Sequence, residues 1–231
     1  MKIHGWSKLT LLDYPGTIGA TLFTGGCNFR CPFCQNGGLV LSPEEEPIIP
    51  EEEIFAFLKK RQGLLEGVCI TGGEPTLQPD LLEFIAKIRV LGYRIKLDTN
   101  GYSPRVLKQL IKEGLIDMAA MDIKSSKTQY HKVANIGNFD LSRIEESVNF
   151  LKENHIPYEF RTTIVKELHT TEIIEDIGQW LRGSQVYYLQ EYKDSDQVII
   201  PGFTPCTKEE MTNFQTMLKK HINRVEIRGI D

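Results

Sequence analysis

Long hydrophobic runs are missing from this chain. No stretch nears the ~18 to 20 apolar residues that a membrane span needs, and Met1-Lys2-Ile3-His4-Gly5-Trp6 opens into no apolar signal segment. Cationic excess is missing as well: the formal net charge is −4, which excludes a general nucleic-acid surface, because phosphate binding needs clustered positive charge. Cysteine is scarce and odd in number, five in 231 residues. That excludes a disulfide framework and points to a reducing, cytoplasmic setting. The two tryptophans, Trp6 and Trp180, read as packing residues. No internal repeat, low-complexity tract or linker marks a second domain. With 41% hydrophobic and 25% charged residues, the chain has the balance of an ordinary globular protein with a sizeable core.

The patterning alternates. β-rich runs at Thr17 to Phe23, Val68 to Thr71, Arg94 to Thr99, Met118 to Ile123, Tyr158 to Val165 and Val186 to Gln190 are separated by segments of helical period. The helical segments run Pro50 to Gln62, Pro79 to Leu91, Pro104 to Glu113, Leu141 to Asn154, Thr171 to Leu181 and Lys208 to Ile222. Asp80 and Ser103 stand as candidate caps. Glu44-Glu45-Glu46 reads as a solvated loop, and Glu51-Glu52-Glu53 as an acidic helix start favoured by the helix dipole. Six β-α units with short connections predict a parallel sheet with helical cover. Eight units would close a barrel of about 250 residues. Six predict an α/β protein with an incomplete (β/α)6 TIM-type barrel in a single domain, 1–231, with the core barrel at 17–200 and a carboxyl-terminal helix and strand at 201–231, the strand at Val225 to Arg228. A doubly wound open sheet is the structural rival.

Three of the five cysteines, Cys27, Cys31 and Cys34, fall in one eight-residue segment. Gly25-Gly26 precedes it and lets the backbone bend close to a ligand, and a strand-like run leads into it, so the thiols sit on a loop rather than in a core. The alternatives are small buried hydrophobes or a zinc half-site, whose second half is missing unless His4 or His169 completes it. Cys69 lies inside an apolar run, and Cys206 stands alone after Pro205. A closed zinc site or a fully capped iron–sulfur cube takes four protein ligands, so a trio leaves one metal position open. Gly72-Gly73-Glu74-Pro75, Asp98-Thr99-Asn100-Gly101 and Asp122-Ile123-Lys124 stand at the ends of the next three strands. In parallel α/β folds that is where chemistry is placed.

The Cys-x3-Cys-x2-Cys spacing, with Phe33 before the last cysteine, and the intact Gly72 to Pro75 strand end resemble the radical S-adenosylmethionine (radical SAM) superfamily over nearly the whole chain. The resemblance implies that Cys27, Cys31 and Cys34 hold three irons of a 4Fe-4S cluster, and that S-adenosylmethionine chelates the fourth and is cleaved reductively to a 5′-deoxyadenosyl radical. It further implies that Gly72 and Gly73 approach the methionine part of the cofactor, that Glu74 favours its ammonium, that Phe33 lies against the adenine and that Lys124 meets the carboxylate. Asp98 and Asn100, at the end of the third strand, and Gln190, which leaves the sixth with Glu191 and Tyr192, are further candidate cofactor contacts. Asp98, Thr99 and Asp122 with a backbone oxygen of Met121 resemble a monovalent-cation site; the alternative is that the two aspartates cap helices or pair with lysines.

Lys8 to Gly16, Thr24 to Cys31, Tyr130 and Asn138-Phe139-Asp140-Leu141 resemble the glycyl-radical-enzyme activating subgroup, in particular the activating proteins of anaerobic ribonucleoside-triphosphate reductase, near those of pyruvate formate-lyase. This implies a glycyl-radical protein as substrate and an electron donor such as flavodoxin or ferredoxin. Nine residues after the last helical segment leave no room for auxiliary clusters, which fits a protein substrate. The rivals are a small-molecule radical enzyme and a non-catalytic iron–sulfur or metal-binding protein; the latter has no need of Gly72 to Pro75. Arg161, His131 and His169 stay open between site and surface, with a surface position the simpler reading for both histidines.

Overall fold

The computed structural model describes residues 1–229. The strands are β1 (Ile3–Thr10), β2 (Gly19–Thr24), β3 (Gly67–Gly72), β4 (Arg94–Thr99), β5 (Met118–Asp122), β6 (Tyr158–Ile164), β7 (Val186–Glu191) and β8 (Arg224–Arg228). The helices are α1 (Gly37–Leu41), α2 (Glu51–Lys60), α3 (Leu81–Val90), α4 (Pro104–Lys112), α5 (Tyr130–Ala134), α6 (Leu141–Lys152), α7 (Thr171–Trp180) and α8 (Lys208–Leu218). Strand order in the sheet follows the chain, β1 to β8. A doubly wound sheet reverses its order at a switch point. The order here never reverses, so the rival topology is set aside. No helix among the described residues is long and apolar enough to cross a membrane.

The residues group into two compact units. The first, comprising 1–28, 38–120 and 155–157, carries β1 to β4 and α2 to α4. In it β1 runs antiparallel to β2, while β2, β3 and β4 are parallel, with Thr24 paired to Gly72 and Cys69 to Lys96. β4 is buried from Ile95 to Thr99, as expected of a parallel strand covered on both faces. α3 buries Leu81, Phe84, Ile85 and Ile88, and α4 buries Leu107, Leu110 and Ile111, the i, i+3, i+4 stripe of a core-facing helix. The acidic start of α2 is tied down: Glu51 accepts from the Met1 amino group at 2.9 Å and from Lys87 at 3.0 Å.

The second unit comprises 29–37, 121–154 and 158–231. In it β6, β7 and β8 are parallel. Asp140 caps α6 through Ser142 N at 3.0 Å, and Thr207 with Glu210 forms a capping box at α8.

Three elements differ from the sequence expectation. β1 reads as no strand, because Gly5, Ser7 and Lys8 break its apolar alternation and it is an edge strand with irregular register. The five-residue α1 and α5 are too short to show a helical period. Asp80 and Ser103 occupy N-cap positions without a side-chain cap bond; Asp80 instead pairs with the Met1 amino group at 2.7 Å.

Candidate active site

In the first unit, the β2 and β3 ends lie side by side. Gly73 N donates to Thr24 O and Glu74 N to Gly26 O, both at 2.8 Å. Gly72 has φ +119, and a Cβ there would lie 2.3 Å from Thr24 N; at Gly73 it would lie 2.0 Å from Gly26 O. Both glycines are therefore required by the close approach of two backbones, which fixes the segment that leads into Cys27.

Glu74 is tied to the protein's own donors. Its side chain is buried, with Oε1 accepting from Thr76 N (3.1 Å), Thr76 Oγ1 (2.5 Å) and Thr99 Oγ1 (2.7 Å), and Oε2 accepting from Asn100 N (2.7 Å). Burial pushes its pKa up while these four donors pull it down. The carboxylate joins the β3 and β4 ends. Asn100 in turn donates to Asn28 Oδ1 at 2.8 Å and reaches Cys27 Sγ at 3.8 Å. Asn28 is a residue the sequence reading passes over, since a polar residue next to a cysteine gives no pattern.

The second unit holds the rest of the cysteine loop. Pro32 O and Cys34 O accept from Ile200 N (2.8 Å) and Ile199 N (3.1 Å), and Gly37 N donates to Gln197 O at 2.8 Å. This strap from the segment after β7 has no sequence signature, because its contacts are made by backbone. Phe33 is 3% exposed and packs with Val133, Val165, Tyr192 and Val198, its ring edge-on to Phe203 and His169. A ring so enclosed anchors the loop. Cys34 is half-buried, as is Cys27 in the first unit, while Cys31 is buried. Burial pushes the Cys31 thiol up to about 11, with Lys124 pulling the other way.

At the β5 end, Asp122 Oδ1 accepts from Arg161 Nε at 2.5 Å and Oδ2 from Lys124 Nζ at 3.0 Å. Burial opposes ionisation of Asp122, but Arg161 and Lys124 outweigh it and hold the carboxyl well below its usual range. Lys124 is likewise held protonated against burial, by the Asp122 carboxylate. One acid against two bases leaves a net positive charge. Arg161 thus turns inward. His169 is buried, not on the surface, with Nε2 3.0 Å from Lys124 O and Nδ1 at 3.1 Å from Val165 N; burial lowers its pKa to about 4. His131 is exposed, and Gln190 is half-buried at the end of β7. Tyr130 donates to Asp122 O at 3.2 Å and stacks on Phe139 at 5.4 Å.

The residues of the expected cation site do not fit that role. Asp98 Oδ1 accepts from Lys96 Nζ, Thr99 Oγ1 donates to Glu74, and Asp122 is matched by Lys124 and Arg161; Met121 is buried in β5. The pairing alternative is the one realised. Among the described residues, no three His, Cys, Asp or Glu converge as ligands of one metal ion. An iron–sulfur cube takes each cysteine on a different iron, so it does not need such convergence. Soft thiolates on a glycine-preceded loop are the donor set that iron–sulfur clusters take.

A family model described as Radical SAM superfamily matches residues 21–180. A protein of Methanocaldococcus jannaschii named "Putative glycyl-radical enzyme activating enzyme" is 34% identical over 99% of this chain and 96% of its own length. A GTP 3′,8-cyclase of Helicobacter pylori J99 is 30% identical over 66% of this chain, which spans 48% of the cyclase. Among solved structures, a domain of the pyruvate-formate lyase-activating enzyme of Bacteroides vulgatus matches with a TM-score of 0.57 and 17% identity, over 71% of this chain and 99% of that domain. Streptococcus suis SuiB bound to S-adenosylmethionine matches with a TM-score of 0.68 and 14% identity, over 90% of this chain and 52% of SuiB. The two structural likenesses are likenesses of fold.

Proposed function

The chain belongs to the radical SAM superfamily, and from that premise we propose that it is an activase that removes a hydrogen atom from one backbone glycine of a partner enzyme. The observation that carries this is the full-length likeness to the archaeal glycyl-radical activating relative. Anaerobic ribonucleoside-triphosphate reductase is the proposed partner, on the strength of Lys8 to Gly16 and Thr24 to Cys31. Flavodoxin or ferredoxin is the proposed electron donor and the cytoplasm the proposed setting.

Cys27, Cys31 and Cys34 would hold a 4Fe-4S cluster with one iron left to the cofactor. Such a cluster would supply, when bound and reduced, the electron for the reductive cleavage of S-adenosylmethionine from which the hydrogen-abstracting radical chemistry of the family comes. The chain's own residues orient and shield. The Ile199 and Ile200 amides and the Phe33 ring hold the cysteine loop. The excess positive charge at Lys124 and Arg161 would receive the cofactor carboxylate, since charge-assisted contacts are the strong ones. Arg161 positions Asp122, which positions the Lys124 ammonium. Carbonyl oxygens of Gly72 and Gly73 are the acceptors proposed for the cofactor ammonium, with Asn100 bordering Cys27 and Gln190 on the adenosine side.

Lys124→Ala is expected to keep its iron and to bind S-adenosylmethionine ten- to hundred-fold more weakly, about 1.5 to 3 kcal/mol for one charge-assisted contact. Calorimetric titration under anaerobic conditions checks this, and parent-like affinity removes Lys124 from the carboxylate. For the function itself, the reconstituted chain, reduced and mixed with S-adenosylmethionine and the ribonucleotide reductase, should give 5′-deoxyadenosine together with a glycyl radical on the partner, seen by electron paramagnetic resonance. Repeated turnover of a small metabolite with no partner present would end the activase assignment while leaving the radical chemistry.

A further inference from the structure

We propose that Lys96 is a built-in counter-cation for Asp98, so that this chain's cofactor site takes no sodium or potassium ion. Lys96 and Asp98 are two residues apart in β4 and share one face of the strand. The ammonium lies 2.5 Å from Asp98 Oδ1 and 4.0 Å from the sulfur of Cys69, the residue opposite it in β3. Lys96 is 1% exposed at its side chain and Asp98 is 9% exposed. A lysine that deep in a parallel sheet is costly unless an acid matches it, and an acid that deep is costly unless a cation does. Each answers the other.

The neighbouring oxygen is also taken: Thr99 Oγ1 donates to Glu74 Oε1 at 2.7 Å and accepts from Gly101 N at 3.1 Å. A hard cation is held by several oxygen ligands, carboxylates foremost. With an ammonium already in hydrogen-bond contact with Asp98, a metal ion at that carboxylate would either deprive the buried ammonium of its charge partner or meet a like charge within a few ångströms, in surroundings that screen poorly. The strand pattern shows the device in hindsight: Ile95-Lys96-Leu97-Asp98 sets two charges of opposite sign at alternate positions, interleaved with apolar residues.

The place given to Asp98 rests on the radical SAM reading, but cation binding is measured without cleavage, so failure of one is not confused with failure of the other. The test follows sodium-23 NMR linewidths of the anaerobically purified chain during titration with sodium chloride at constant ionic strength. It also compares thermal unfolding midpoints in sodium, potassium and tetramethylammonium salts. The parent should show no saturable sodium broadening and one midpoint in all three salts. Lys96→Met should acquire saturable sodium binding and a midpoint raised by sodium or potassium over tetramethylammonium, and Lys96→Met with Asp98→Asn should lose both. Saturable sodium binding by the parent that Asp98→Asn abolishes overturns the proposal. So does a folded Lys96→Met that is as indifferent to the ions as the parent. Should Lys96→Met not fold, the parent and Asp98→Asn decide it alone.

Discussion

Replacing Cys27, Cys31 or Cys34 singly by alanine should abolish S-adenosylmethionine cleavage and deplete bound iron, while Cys69→Ala and Cys206→Ala should retain both. The contrast follows from placement. The first three lie on one loop that the fold pins by backbone: Glu74 N donates to Gly26 O just before Cys27, and the Ile199 and Ile200 amides donate to Cys34 O and Pro32 O. Cys69 is fully buried within β3 and Cys206 is buried just before the capping Thr207 of α8, so each behaves as a small apolar side chain whose truncation costs about 1 kcal/mol. A cube held by three thiolates has no spare ligand, and with two it loses an iron site outright. Iron analysis and the yield of 5′-deoxyadenosine from reconstituted variants read the result. One tightly held zinc with no iron after anaerobic purification would overturn the cluster reading altogether.

Glu74→Ala should be the most destabilising single change near the site, by about 3 to 5 kcal/mol, the cost of breaking a buried charged network from one side. The loss strands Thr76 N, Thr99 Oγ1 and Asn100 N, all of which now donate to it. For a chain of this length each kcal/mol moves the melting midpoint by roughly 2 to 4 °C, so a drop of about 10 °C is expected in a thermal scan. Glu74→Gln should cost less, about 1 to 3 kcal/mol, because its amide oxygen keeps the Thr76 and Thr99 donors and only Asn100 N meets an NH2. A Glu74→Ala protein as stable as the parent, but with weakened S-adenosylmethionine binding, would show instead that the carboxylate is directed at a ligand.

Much of the fold was legible in advance because each signal was local. Arg94 to Thr99 is read from its own short β-rich run and is β4 with the same bounds; α4 begins at Pro104, where its first-turn proline placed it. β1 was not legible. Its half-exposed, glycine-broken sequence becomes a strand through pairing with β2, a partner that local pattern cannot name. The cysteine spacing and the Gly-Gly-Glu-Pro strand end were equally plain as motifs, yet their parts divide differently once folded: the glycines are demanded by Thr24 and Gly26, Glu74 by Thr76, Thr99 and Asn100, and Phe33 by a hydrophobic cluster.

The sequence by itself determined the order of strands and helices, the loop that carries three thiols and the family, because periodicity and ligand spacing are properties of consecutive residues. Only tertiary structure decided which charges meet. Asp98 was as plausible an ion ligand as a lysine partner until β4 was buried. Asp122, Lys124 and Arg161 became one positive cluster only when the β5 and β6 ends were in place. The physical reason is that pairing of buried charges is set by which groups lose water together, and that depends on every strand and helix around them rather than on neighbours along the chain.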